Sequence, residues 1–297
     1  HKNATLYDTF VELLITVFGL FPIFCSQLRL APNTDLIYIK LMRSIVPLIA
    51  LIFTYQTHAQ IEAPSTEFAE YLVAPIHVHR LVTQGELSLT TTLNKKDLER
   101  IFGKVNRIWG HAGIHFPIQT LTTEAVPSPE IYRQNHQKRQ LGWMLALRPK
   151  TSRSTNQFHI YYLKRFLANG VYIGPEGMFV KDTARLRSTQ NGVDEPIPRV
   201  TSHELGHALS LKHRQNVTNL LSSGTSGWTL NEKEIRQARN AAEKTPWILP
   251  AATILKKADQ AYKAGEKEKA RELYRLIARI PLRCPETSRA KKRSNLD

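Results

Sequence analysis

Residues 203–213 read His-Glu-Leu-Gly-His-Ala-Leu-Ser-Leu-Lys-His and carry the most informative pattern of this chain. On an α-helix, two histidines four positions apart lie one turn above each other, so the imidazoles of His203 and His207 can meet at one metal ion. The carboxylate of Glu204, one step around the helix, can reach a metal-bound water without being a ligand. The segment therefore predicts a metal-binding helix that begins just after Pro198.

The third histidine of this segment requires the helix to end. In a continued helix His213 would lie about 9 Å beyond His207 along the axis, because each residue rises about 1.5 Å. A single zinc ion cannot bind both rings at that separation, since a Zn–N contact is only about 2.0 to 2.1 Å long. If His213 is a ligand, the helix must end near Ser210 and the chain must turn back.

Three neutral imidazoles leave a fourth coordination position for water, which is typical of a catalytic zinc site. The ion lowers the pKa of that water toward about 7 and polarises a scissile carbonyl. Glu204 would take the proton and deliver it to the leaving amine. The sequence thus predicts an enzyme, a zinc-dependent endopeptidase with one catalytic zinc ion, the metal ligands His203, His207 and His213, and the catalytic base Glu204. It leaves open whether a structural calcium ion is also bound.

Two other interpretations remain open at this point. His203 and His207 could share the metal with Glu232 or Glu234 of the following helix, as in His₂Glu zinc peptidases. Alternatively, the chain is a basic binding module that keeps a metal-supported fold without turnover. Loss of zinc in His213→Ala but not in Glu232→Ala would exclude the first alternative. Loss of hydrolysis with zinc retained in Glu204→Gln would exclude the second.

With these residues in view, roughly residues 71 to 240 resemble the metzincin metallopeptidases, most nearly the matrixin-like branch. The family pattern is HExxHxxGxxH, and this chain matches it except at the glycine. The resemblance implies an α/β (α+β) fold, with a mixed twisted sheet and an active-site helix. Further likenesses are the methionine-turn-like segment Val217–Gly224 and the core-like blocks at Trp109, Gly113, Ile114 and Phe158–Leu163.

The chain departs from the family pattern at two positions. Ser210 stands at the glycine pivot, where a left-handed backbone would cost a non-glycine residue about 1 to 2 kcal/mol. Leu221 stands where the family has the methionine beneath the site, a nearly volume-conserving exchange that typically costs under about 1.5 kcal/mol. Neither change removes a ligand or the base, so the resemblance still implies activity.

The resemblance also implies how a protein or peptide substrate binds. The peptide would lie antiparallel to an edge strand above the helix, and Val171–Val180 is the candidate edge. The segment Gly224–Leu230 would shape the specificity pocket.

Hydrophobic periodicity predicts a mixed sheet with helices packed on one face. Five other histidines are predicted to face solvent or the rim of the sheet rather than to form a second metal site: His77, His79, His111, His115 and His159. Residues 127–149 form a polar, basic insertion without an assigned role. The predicted strands are 71–81, 114–121, 157–166 and 171–181, the last interrupted at Gly174-Pro175, and the predicted helix is 94–109.

The predicted organisation places a catalytic domain at 71–245. Residues 250–283 form a helical hairpin around Gly265 that resembles a single tetratricopeptide unit, and we expect it to pack on the preceding domain because such units need neighbours. Residues 284–297 are a basic tail.

The N-terminal region is predicted to direct export. Residues 42–59 have a basic start, a short apolar run and a small-residue end, as in a secretory signal peptide. Residues 1–41 would then be a doubtful upstream segment, and 60–70 a linker. We therefore expect a secreted or periplasmic protein; the alternative is a membrane anchor formed by an uncleaved N-terminal segment.

Composition limits the partners. With 42% hydrophobic and 22% charged residues the chain is too apolar for disorder. The formal net charge is +16, but no nucleic-acid motif accompanies the basic residues, so a solvated face or contact with an anionic cell surface is the better expectation. The sequence does not indicate an oligomeric state.

Overall fold

The computed structural model describes residues 68, 70–154, 156–280 and 285–294. The upstream segment, the signal peptide and most of the linker lie outside these residues, so their assignments stay predictions. None of the described helices combines the length and apolar character needed to cross a membrane.

The strands form a five-stranded and a three-stranded sheet. In chain order they are β1 (Leu72–Val73), β2 (Ile76–Val82), β3 (Ile114–His115), β4 (Ile118–Ala125), β5 (Phe158–Leu163), β6 (Gly170–Tyr172), β7 (Met178–Lys181) and β8 (Leu249–Pro250). The large sheet has the order β4-β2-β5-β7-β6, and the small sheet has the order β3-β1-β8. All neighbours in the large sheet are parallel except β6, which pairs antiparallel with β7.

Within the described residues, seven α-helices accompany the sheets. They are α1 (Lys95–Gly110), α2 (Pro129–Asn135), α3 (Pro196–Ala208), α4 (Glu232–Glu243), α5 (Ala251–Lys263), α6 (Lys267–Ala278) and α7 (Pro285–Ser294). The predicted helix at 94–109 is present as α1, and Asn94 caps it in a reciprocal capping box with Asp97. Together the mixed sheets and helices confirm the predicted α/β (α+β) class.

The large sheet is covered on both faces, not on one as predicted. Ile160 and Tyr162 of β5 belong to the core shared with α1 and α3. Tyr161 and Leu163 point the other way, into a second core. That core is completed by Tyr132 of α2 and by neighbouring residues of the 127–149 insertion. The insertion therefore has a structural role, because it covers the second face.

The predicted edge strand divides into two. A 3₁₀ turn at Gly174–Glu176 separates β6 from β7, as the Gly-Pro interruption indicated. Gly174 has a φ of +58°, which favours glycine at this turn. Only β6 lies at the edge, whereas β7 lies between β5 and β6, so the edge prediction is correct for Val171 and wrong for residues 178–180.

The C-terminal helices form a separate small core. Helices α5 and α6 lie on either side of Gly265, as predicted, and bury Ala258, Ala270 and Tyr274. Residues 285–294, which the sequence assigns to a basic tail, are helical as α7. Asp259 of α5 pairs with Arg289 and Arg293 of α7.

Candidate metal centre

The site is built on helix α3, which begins with a proline in its first turn. Proline is favoured there because its missing N–H has no intrahelical partner and its φ already suits a helix. The helix packs between α1 and the β6-β7 edge of the sheet, so His203 and Glu204 are buried with 6% and 5% exposure. Their side chains are therefore held rigidly and are largely desolvated.

Helix α3 ends where the sequence requires it to end. The Ser210 N–H donates to the His207 carbonyl at 2.9 Å, and the Leu211 N–H donates to the Gly206 carbonyl at 2.9 Å. This pair of bonds is the Schellman arrangement, which needs a left-handed residue just after the helix. Ser210 is this residue, with a φ of +65°. The cost of about 1 to 2 kcal/mol for a non-glycine residue in the left-handed conformation therefore applies here.

The turn brings the three histidines of the segment together. The Nε2 atoms of His203 and His213 are 3.2 Å apart, and the Nε2 atom of His207 lies 3.1 Å from each of them. Among the described residues, these three histidines form the only cluster of three or more side chains able to hold a metal ion.

The hydrogen bonds of two rings fix their tautomers. His203 Nδ1 lies 2.8 Å from the Leu220 carbonyl, and His207 Nδ1 lies 2.9 Å from the Leu211 carbonyl. A carbonyl only accepts, so both Nδ1 atoms carry the proton and both Nε2 atoms present lone pairs to the cluster centre. Arg199 Nη1, 3.3 Å from His203 Nδ1, therefore lies beside that ring without donating to it, because a guanidinium only donates. Burial also lowers the pKa of His207, and it lowers that of His203 to about 3, which keeps the rings neutral.

This donor set fits a tetrahedral metal ion. Converging lone pairs repel one another unless a cation lies between them. Two nitrogens bound to one tetrahedral zinc ion at about 2.0 to 2.1 Å are about 3.3 Å apart, close to the spacing observed here. Neutral imidazole suits zinc, copper, iron and nickel, so the geometry indicates a metal site without identifying the metal.

Glu204 lies beside the histidines but faces strand β6. Its carboxylate accepts a hydrogen bond from the Tyr172 backbone N–H, and burial raises its pKa to about 8. A Cβ atom added at Gly170 would lie 2.5 Å from Glu204 Oε1. Glycine at this position is therefore what lets β6 approach the carboxylate.

The segment after the triad lies beneath the site. Leu221 is fully buried, and a Cβ atom added at Gly206 would lie 3.2 Å from its Cδ1. The Leu221 side chain thus packs against α3 between the turns that carry His203 and His207. This is the position that the resemblance implies for the family's methionine.

Arg199 is a site residue that the sequence analysis missed. It is 2% exposed, and its guanidinium donates to the carbonyls of Gly227, Asn219 and Ser222. These bonds fasten the 219–227 segment to α3, one turn before His203. An arginine on the buried face of a helix was the available signal, because such a charge needs several partners.

The alternative ligands Glu232 and Glu234 do not join the histidines. Glu234 accepts from Arg214 Nε at 2.6 Å and from Asn219 Nδ2 at 2.8 Å, and it forms a capping box with Asn231. The Glu232 side chain is 90% exposed. The structure therefore supports the three-histidine set rather than a His₂Glu set.

A cleft of about 380 Å³ opens over the triad. Residues of strand β6 line it, and so does Gly224 of the predicted specificity segment. Leu186 and Val200 add apolar surface. The site is thus accessible to a ligand from the side of the edge strand.

The prediction that the other histidines face solvent is wrong for three of them. His79, His115 and His159 are 4%, 1% and 5% exposed. His79 and His159 lie on the sheet face that the insertion and the following 3₁₀ turns cover. There they join a chain of hydrogen bonds: Glu124 Oε2 to His79 Nδ1 at 2.5 Å, His79 Nε2 to His159 Nδ1 at 2.9 Å, and His159 Nε2 to Ser154 Oγ at 2.7 Å.

Comparison with known proteins adds little to this geometry. No protein-family model and no curated protein matches the sequence. Among solved structures, the chain is similar to metalloproteinase-II from Bacteroides fragilis, with 11% identity, 61% of this chain covered and a TM-score of 0.32. The chain spans 56% of the length of that protein's chain. A likeness this small assigns no function, so a functional proposal has to rest on the geometry of the three histidines.

Proposed function

We propose that this chain is a zinc-dependent endopeptidase. The observation that carries the proposal is the convergence of three imidazole Nε2 atoms, 3.1 to 3.2 Å apart, beside a buried carboxylate. His203, His207 and His213 would hold the metal, and only these three side chains of the described chain cluster for that purpose. Bound zinc supplies Lewis acidity, which polarises a substrate carbonyl and makes water a better nucleophile.

Glu204 is the proposed proton carrier. Its carboxylate accepts a proton from the attacking water and releases it to the nitrogen of the leaving amine. The Tyr172 N–H orients the carboxylate, so water and base meet in a fixed geometry.

Strand β6 is the proposed docking edge for a peptide substrate. Edge strands bind extended peptides through backbone hydrogen bonds, with alternate side chains entering pockets. Gly170 and Tyr172 of this strand lie on the cleft wall next to Glu204, so a peptide paired with β6 would pass beside the base. We also propose that the chain is a matrixin-like peptidase and that residues 224–230 shape its specificity pocket.

The test is zinc content together with cleavage of a random peptide pool, for the wild-type chain and for Glu204→Gln. Wild type should hold one zinc ion and cleave, whereas Glu204→Gln should hold zinc and cleave at least about 100-fold more slowly. Equal product formation by both proteins would contradict the role of Glu204. A chain that binds zinc but cleaves nothing would instead be the basic binding module.

We further propose that the protein is exported through the signal peptide at residues 42–59. Mass spectrometry of the native N-terminus should find a start near Gln60. A peptide from residues 1 to 30 would overturn this part of the proposal.

A further inference from the structure

A second cleft lies away from the histidine triad, between helix α1 and the C-terminal helices. Its volume is about 670 Å³, within the range of about 300 to 1,000 Å³ typical of small-molecule sites. Phe116, which follows β3, and Ile118 of β4 contribute apolar surface to its floor, and Ser294 at the end of α7 borders it.

Basic side chains surround this cleft. Lys95 and Arg107 come from α1, Arg275 comes from α6, and Arg279 follows α6. Glu99 is the only acidic residue of the lining. No ion pair joins any of the four cations to an acid within the described chain. Four like charges around one concave surface repel one another, and field lines focus in such a cleft. We call the cleft that these four cations and His115 line the basic cleft.

His115 supplies a second, independent observation. The residue borders the cleft, yet it is only 1% exposed. Neither ring nitrogen has a hydrogen-bond partner within the described residues. Buried polar groups nearly always have partners, so such a residue calls for an explanation. A neutral imidazole offers one N–H donor and one acceptor. Both nitrogens have less than 1 Å² of accessible surface, so a ligand in the cleft satisfies the donor once the atoms that cover the ring move aside.

We propose that the basic cleft binds a small ligand that carries two or more closely spaced negative charges, of the diphosphate or polycarboxylate kind. Arginine forks match both phosphate and carboxylate oxygens, and three of the four cations of the lining are arginines. The apolar floor at Phe102 and Phe116 leaves room for an uncharged portion of the ligand. This inference is independent of the zinc peptidase proposal, because no ligand of the triad lines the basic cleft.

The test is calorimetric titration of the full chain with pyrophosphate and with citrate at low ionic strength. Arg275→Gln combined with Arg279→Gln should weaken binding by at least about tenfold, since charge-assisted hydrogen bonds are lost. The matched control is Lys256→Gln combined with Lys257→Gln, which removes the same charge from exposed positions on α5. The control should keep its affinity within about twofold, because neither lysine lines the cleft.

His115→Leu provides a variant with a distinct signature. Replacing an unpartnered buried polar group by an apolar one should leave the melting temperature unchanged or raise it, while the affinity for the anion falls. Binding of pyrophosphate alone would identify phosphate as the ligand group, and binding of citrate alone would identify carboxylate. The proposal is overturned if neither probe binds or if the arginine variant binds as tightly as wild type.

Discussion

The Nε2 atom of His213 lies 3.1 Å from that of His207, although in a continuous helix the two residues would be about 9 Å apart along the axis. The left-handed Ser210 between them produces this approach. The candidate metal centre therefore depends on one backbone turn as much as on three side chains.

Replacing the third ligand should remove the metal. His213→Ala leaves two imidazoles, too few for stable zinc retention, so zinc content measured after dialysis should fall from about one equivalent to near zero. Glu232→Ala is the control, because its exposed carboxylate does not approach the triad. Loss of zinc in the control with retention in His213→Ala would reverse the ligand assignment.

Ser210→Gly should stabilise the protein. Glycine relieves the left-handed strain of about 1 to 2 kcal/mol but costs about 0.5 to 1 kcal/mol in unfolded-chain entropy, so we expect a net gain of about 0.5 to 1 kcal/mol. Urea unfolding of the metal-free protein measures it. Ser210→Ala keeps the strain and should show no such gain; equal stabilisation by both variants would contradict the strain argument.

Gly170→Ala should impair catalysis while sparing the metal. The added Cβ would lie 2.5 Å from Glu204 Oε1 and 2.6 Å from a Val200 methyl, so the carboxylate or the strand must move. Because misplacement of a catalytic group by about 1 Å can cost about 100-fold in rate, kcat should fall by about that factor with zinc content unchanged.

Gly103→Ala is the matched control for that variant. Nothing lies within 4 Å of a Cβ atom there, and the position is in helix α1, where alanine is favoured. It should retain full activity and gain up to about 1 kcal/mol of stability. Wild-type kinetics in Gly170→Ala would show that Glu204 needs no close approach of β6.

Arg199→Lys should loosen the site although the charge is kept. A lysine cannot span three carbonyl acceptors as the guanidinium does, so the segment that carries the Leu220 carbonyl is less firmly held. Disrupting such supporting bonds typically lowers metal affinity by about 10 to 100-fold. Competition with a zinc chelator measures this affinity, and an unchanged value would rule out a positioning role for Arg199.

The pH dependence of the free energy of unfolding should reveal the contribution of Glu234. Burial alone would raise the pKa of this carboxyl, but the hydrogen bonds from Arg214, the Asn231 N–H and Asn219 outweigh it and hold the pKa below its usual value. A lowered folded-state pKa contributes stability above the unfolded value of about 4.3, and that contribution disappears as the pH falls through the folded value.

Glu234→Gln should therefore be less stable than wild type at pH 7, by about 2 kcal/mol. The difference should shrink as the pH is lowered below about 4. Denaturant titrations at several pH values measure both proteins. A difference in stability that stays constant with pH would contradict a lowered folded-state pKa of Glu234.

The convergence of His203, His207 and His213 could be predicted because the information for it is local. A four-residue spacing places two rings on one helix face, and the third position forces a turn that only a few residues must make. The same holds for α1, whose cap and apolar stripe lie within 17 consecutive residues, from Asn94 to Gly110.

The sequence failed where burial depends on distant segments. His79 and His159 were expected to face solvent because nothing nearby in sequence covers them, yet the insertion covers their face of the sheet. Arg199 and Gly170 were missed for the same reason. The carbonyls that accept from Arg199 lie 20 to 28 residues further along the sequence. The carboxylate that approaches Gly170 belongs to Glu204 on helix α3. Only the fold brings these groups together.

The most direct test of the metal site is X-ray absorption at the zinc edge of the full chain after zinc loading. Three imidazole nitrogens and one oxygen at about 2.0 to 2.1 Å are the expected shell. A shell with fewer than three imidazoles, or four protein ligands with no position left for water, would contradict a catalytic zinc ion at His203, His207 and His213.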